Sequence, residues 1–98
     1  MSISILDKAG DFAEDKDAAA SIRAGSIEPA LEAGRNITLD FTGVRLTTQS
    51  FIHALVSSSL RKHGVSTLER LEFKGCNKLV RGIVETVVQY SLESLDEA

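Results

Sequence analysis

The run Ile37-Thr38-Leu39-Asp40-Phe41-Thr42-Gly43-Val44-Arg45-Leu46-Thr47-Thr48-Gln49-Ser50-Phe51 constrains the fold more than any other part of this chain. Ile37, Leu39 and Phe41 alternate with Thr38 and Asp40, the period of a strand with one face on a core and the other less buried. Gly43 then supplies a turn. Thr47, Thr48 and Ser50 offer three candidate N-caps for a helix through Phe51, Ile52, Leu55, Val56 and Leu60. Arg61, Lys62 and His63 followed by Gly64 suit the end of that helix, where cations meet the dipole and glycine turns the chain.

The flanks extend the pattern. Ile3 and Ile5 alternate with Ser2 and Ser4 like a short edge strand, which Asp7-Lys8-Ala9-Gly10-Asp11 ends. A helix is predicted from Asp15 through Ala18-Ala19-Ala20 and Ile22. Gly25 interrupts it, and Ser26, as a cap, opens Ile27-Glu28-Pro29-Ala30-Leu31-Glu32-Ala33 up to Gly34, giving one broken helix or two short ones. Leu68-Glu69-Arg70-Leu71-Glu72-Phe73 predicts a third strand. From Asn77 the pairs Leu79/Val80, Ile83/Val84 and Val87/Val88 recur every four residues, which decides for a helix despite the β-branched content. The acidic tail from Ser91 to Ala98 is expected to fray. Strand and helix in alternation give a small α/β sandwich, a mixed and mostly parallel sheet of three to five strands with helices packed on it, in one domain spanning residues 1–98.

Composition narrows the function. With 98 residues, 43% hydrophobic and 26% charged, the chain has the content of an ordinary globular domain. A net charge of -3 argues against nucleic acid, whose binders need clustered cations. Aromatic content of 5% with no Trp leaves little for a base-stacking platform. No apolar stretch approaches the roughly 20 residues of a membrane span, and Met1 to Leu6 shows neither basic leader nor cleavage site, so a cytoplasmic location without membrane contact is expected. The single Cys76 fits a reducing compartment and reads as a half-buried, inert thiol. His53 and His63 have no Cys or acid at ligand spacing, so neither a metal site nor a cofactor is expected. Gly43, Gly64, Gly75 and Gly82 stand singly, so there is no phosphate-cradling loop.

The order Leu39-Asp40-Phe41-Thr42-Gly43-Val44, Ser50-Phe51 after a short polar stretch, a helix, the Gly64 break, a strand and a closing helix resembles the STAS-like domains of bacteria, a family of unknown function. The likeness covers roughly residues 15 to 92. In the related anti-sigma factor antagonists a serine at the start of this helix is phosphorylated by a partner kinase. Their Asp-Ser-Ser-Gly falls on Thr48-Gln49-Ser50-Phe51, which puts the usual acceptor on Gln49 and leaves Ser50 as the alternative hydroxyl, with Thr47 and Thr48 behind it. The resemblance implies a non-catalytic regulatory or interaction module that docks another protein, a histidine-kinase-like ATPase or an anti-sigma type factor, and it leaves the oligomeric state open.

The residues that would carry such docking are Arg45, Thr47, Thr48, Ser50, Phe51 and His53, from Val44 to Phe51 and the helix beyond, with Asp40 and Gly43 shaping the turn. Ser50 is either an ordinary N-cap or a contact whose phosphate the helix N-terminus would stabilise, with Arg45 as its counter-ion. The same hydroxyls would also suit a small-anion or nucleotide sensor. A hydrolase built on Asp40, Ser50 and His53 would need an acid oriented behind the histidine, and the spacing supplies none.

Overall fold

The computed structural model describes residues 1–96. Five short strands, β1 (Ser2–Ser4), β2 (Phe12–Ala13), β3 (Ile37–Asp40), β4 (Leu46–Thr47) and β5 (Leu71–Lys74), are interspersed with helices, β4 following β3 directly. These are α1 (Ile5–Ala9), α2 (Lys16–Ile22), α3 (Glu28–Glu32), α4 (Gln49–His63), α5 (Ser66–Arg70) and α6 (Lys78–Asp96), and a π-helical turn, Arg23–Ile27, joins α2 to α3. The expected α/β fold with parallel strands is the one that forms. Its strands divide into a three-stranded sheet, β1-β3-β5, and a two-stranded sheet, β2-β4, and every pairing is parallel.

Register sets the two faces of the larger sheet. Ile3, Leu39 and Phe73 lie in one row, with Ile37 against Leu71, and this face turns to the core. Ser2, Thr38 and Glu72, and then Ser4, Asp40 and Lys74, occupy the alternate positions and form a polar outer face. The residues of that face share one core with those of α4, which packs on both α2 and α6. Phe41, Phe51, Ile5, Leu39, Ile52, Leu55 and Leu60 are completely buried there. The Phe41 and Phe73 rings sit 6.3 Å apart and tilted by 31°, within the range where aromatic pairs attract.

Local chemistry explains where the elements differ from expectation. Asp7-Lys8-Ala9 does not break the first strand into a loop but forms α1. The Ser4 hydroxyl caps this helix by accepting from Asp7 N at 3.2 Å, and Gly10 ends it at φ 80°. Leu68-Glu69-Arg70, expected to open the third strand, belongs instead to α5, because Thr67 is buried and its hydroxyl donates to Ser59 O at 3.1 Å, pinning that turn to α4. The tail expected to fray from Ser91 continues as helix to Asp96, and residues 97–98 of it lie outside the described residues. Among the described residues no helix is long and apolar enough to cross a membrane.

Gly25 does not break the chain between α2 and α3. The backbone stays right-handed through the π turn, and Ser26, expected to cap a new helix, lies inside it with no capping bond. A widened turn carries the extra residue without ending the helix. A Cβ at Gly25 would meet nothing within 4 Å. Gly25→Ala is therefore expected to raise stability by about 0.5–1 kcal/mol, measured by urea denaturation. A loss of stability would contradict a continuous helical path.

Candidate functional site

The corner between β3 and α4 is braced from four directions. Asp40 Oδ1 accepts from Thr42 N at 2.9 Å and from the Thr42 hydroxyl at 2.6 Å, closing the turn that follows β3. Gly43 then takes φ 85°, and Val44 N donates back to Phe41 O at 2.9 Å. Arg45 N and Leu46 N donate to Asp11 O, and Thr48 N donates to Ala13 O, so the segment pairs with β2 as a strand. On the other side Asn77 Nδ2 donates to the carbonyls of Val44 and Arg45 at 3.3 and 2.9 Å, while its Oδ1 caps α6 by accepting from Val80 N at 2.8 Å. One side chain thus ties the corner to the closing helix.

Of the residues expected to dock a partner, the fold separates buried from available. Thr47 is buried in β4, and its hydroxyl donates to Ala13 O at 2.8 Å. Thr48 is the N-cap of α4, its Oγ1 accepting from Phe51 N at 3.0 Å. Ser50 is therefore not the cap: it lies inside the first turn and is exposed. Phe51 is completely buried and is a core residue. Arg45 and His53 are exposed. Thr48→Ala should cost about 1 kcal/mol in chemical denaturation, whereas Ser50→Ala should stay within about 0.5 kcal/mol. Equal losses would contradict this assignment of the cap.

Gln49, Ser50 and His53 line an open groove of about 450 Å³ together with Lys16 from α2 and Val87 and Tyr90 from α6. Ala54 and Val87 give it apolar lining, and Lys16, Gln49, Ser50 and His53 give it polar lining. Lys16 and Tyr90 were not legible as site residues, since only the packing of α4 against α2 and α6 brings them there. Arg45 does not share this groove. It lines a second concavity, of about 630 Å³, with Asp11, Phe12, Leu46, Asn77 and Leu79. Asp40 lines neither.

Two titratable groups near the corner are perturbed by their surroundings. The Thr42 hydroxyl, and after it the Thr42 N–H, hold the Asp40 carboxyl below the usual carboxylate range, with Lys74 across the ladder adding to the effect. Because the folded-state value is depressed, Asp40 contributes stability above its unfolded pKa of about 3.9, and that contribution is lost as pH falls through the lower folded value. Thr42→Val should move the Asp40 carboxyl midpoint upward in an NMR titration. An unchanged midpoint would remove the Thr42 hydroxyl as the cause.

Burial pushes the Cys76 thiol up against the opposing pull of Arg81, which does not favour the thiolate that a nucleophile requires. His63, expected only to meet the dipole of α4, also places Nε2 3.0 Å from Glu28 Oε2 of α3, both half-buried. Among the described residues no group of three or more His, Cys, Asp or Glu side chains is placed to hold a metal ion.

A family model described as a STAS-like domain of unknown function (DUF4325) matches residues 18–81, more than half of the chain. The chain belongs to this STAS-like family. The matched stretch runs from α2 into the start of α6 and contains the corner from Asp40 to Phe51 with its clamp Asn77, while the bracing carbonyls of Asp11 and Ala13 precede it. No curated protein and no solved structure gives a significant match to this STAS-like chain.

Proposed function

We propose that this STAS-like chain is one non-catalytic module that docks another protein through the exposed face of the β3–α4 corner. The groove at the start of α4 carries the proposal: Gln49, Ser50 and His53 stand free on a helix whose neighbouring residues Thr48, Phe51 and Ile52 are fixed by a cap and by burial. A surface that needs no reorganisation loses less entropy when a partner binds. Lys16 on the rim and the α4 N-terminus favour an acidic segment of that partner, and a histidine-kinase-like ATPase or anti-sigma type factor is the first candidate. The non-catalytic character is supported by Asp40, whose carboxylate is engaged by Thr42 and does not line the groove with Ser50 and His53.

Affinity capture from native cells tests the proposal with wild type, Ser50→Ala and Ser50→Asp as baits. A partner retained by wild type and Ser50→Ala but lost by Ser50→Asp is the expected result, since a carboxylate there repels an acidic segment. Capture of no protein, or equal capture by all three, would count against it. The same Lys16 and α4 N-terminus favour a second reading, a small-anion or nucleotide sensor, because the groove volume falls within the range of ligand pockets. A nucleotide at about 100 times its dissociation constant would then add about 2.7 kcal/mol in a thermal-shift series.

A further inference from the structure

The second concavity is built from apolar side chains that the fold leaves in water. In the β2–β4 pair Ala13 stands beside Thr47 and both face inward, so Phe12 and Leu46, the adjacent pair in register, face outward. Phe12 is 48% exposed and Leu46 44%. Leu79, in the first turn of α6, lines the same concavity and is 64% exposed. Leu79 carries the apolar repeat of α6, yet it sits outside the core that Val80, Val84 and Val87 enter. Three large apolar groups from three elements, converging on one hollow, are the signature of a covered surface.

The hollow is also rigid. Asp11 O accepts from both Arg45 N and Leu46 N, and Asn77 clamps the carbonyls of Val44 and Arg45, so the backbone that presents Phe12, Leu46 and Leu79 is fixed before anything binds. Its charges are one acid and one base, Asp11 and Arg45. Neither makes a salt bridge among the described residues, although their backbones are hydrogen-bonded to each other.

We propose that this face binds a second copy of the chain in a twofold-symmetric dimer. In such an interface every contact occurs twice, residue i of one subunit meeting residue j of the other and j meeting i. A patch with an apolar centre and a single acid and a single base beside it is complementary to itself: Arg45 faces Asp11 of the partner subunit, Asp11 faces Arg45 of the partner subunit, and the Phe12, Leu46 and Leu79 side chains close between them. A patch carrying charge of one sign would instead call for a partner of the opposite sign. The dimer face lies apart from the groove of Ser50 and His53, so docking and self-association use different surfaces.

Sedimentation velocity over a range of concentrations, on the full chain, tests this with a charge-swap design. Wild type should show a concentration-dependent dimer. Arg45→Glu and Asp11→Lys should each weaken self-association about tenfold or more, because each sets like charges opposite one another. An equimolar mixture of the two variants should recover the dimer, since every cross-contact is then attractive. Leu79→Ser, at an exposed position, should weaken the dimer while leaving the melting temperature of the dilute monomer unchanged. A wild type that stays monomeric throughout would overturn the proposal. So would a dimer indifferent to all three substitutions, or single variants whose mixture does not recover it.

Discussion

Phe51→Ala is expected to cost about 3–5 kcal/mol, enough to remove much of the stability of a domain this size. Phe51 has no exposed surface and lies in the same core as Ile52, Leu55 and Leu60 on α4. Deleting the ring loses its transfer free energy and leaves a cavity that rigid neighbours fill only in part. Its sequence neighbour Ser50 is exposed, and Ser50→Ala should scarcely change the unfolding midpoint. The contrast between adjacent residues locates the border between core and exposed surface. Urea denaturation of the two variants measures it, and a Phe51→Ala loss below 1.4 kcal/mol, about tenfold in the unfolding equilibrium, would place the ring outside the core.

Gly75→Ala is the second large effect. Gly75 follows β5 at φ 72°, where a side chain is strained by about 1–3 kcal/mol whatever the space around it. Here there is no space: a Cβ would press on the Thr42 hydroxyl, on Thr42 N at 2.8 Å and on Asp40 Oδ1 at 2.9 Å. Those atoms form the turn after β3, and a backbone nitrogen in a strand-end turn cannot swing aside. The close approach locks the end of β5 onto the corner, two residues before Asn77 grips Val44 and Arg45.

Gly43 offers the control. It also has positive φ, but its Cβ would press on Leu6 Cδ2 at 2.7 Å, with Leu6 Cγ and Cδ1 in ordinary contact, and that side chain is exposed enough to rotate. Gly43→Ala should therefore cost about 1–2 kcal/mol, the conformational part alone, and Gly75→Ala clearly more. Equal losses would mean that the Asp40–Thr42 turn yields and does not brace the corner.

What the sequence made legible follows from how local each signal is. The alternation of Ile37, Leu39 and Phe41 and the four-residue repeat of α6 are periodicities that burial imposes along one element, and both were readable. The strands β2 and β4 were not, since two-residue strands exist only by pairing Phe12 with Leu46 and Ala13 with Thr47, far apart in the chain. That pairing is what takes Thr47 out of the set of free hydroxyls. Leu68 to Arg70 misled because they run directly into the alternating Leu71-Glu72-Phe73, while the decisive bond, from Thr67 to Ser59 O, is tertiary. Gly25 read as a break because sequence alone cannot distinguish a glycine in a widened turn from one that ends a helix.

The site divided along the same line. Asp40, Gly43 and the start of α4 were found from turn chemistry and capping residues. Which of the three hydroxyls Thr47, Thr48 and Ser50 caps the helix was decided by backbone direction: Thr48 is extended, at φ -114° and ψ 159°, as an N-cap must be, and Ser50 already lies within α4. Lys16 and Tyr90 entered only through packing, because neither belongs to a local motif.

The central claim is that the exposed start of α4, and not the polar outer face of the sheet or the Phe12–Leu46–Leu79 hollow, receives a partner protein. Amide NMR of the isotope-labelled chain, titrated with the captured partner, tests it most directly. Gln49, Ser50, His53 and Tyr90 are expected to shift first, with Thr38, Glu72 and Leu79 unmoved. Shifts concentrated on Thr38 and Glu72, or on Phe12 and Leu79, with α4 silent, would contradict the account.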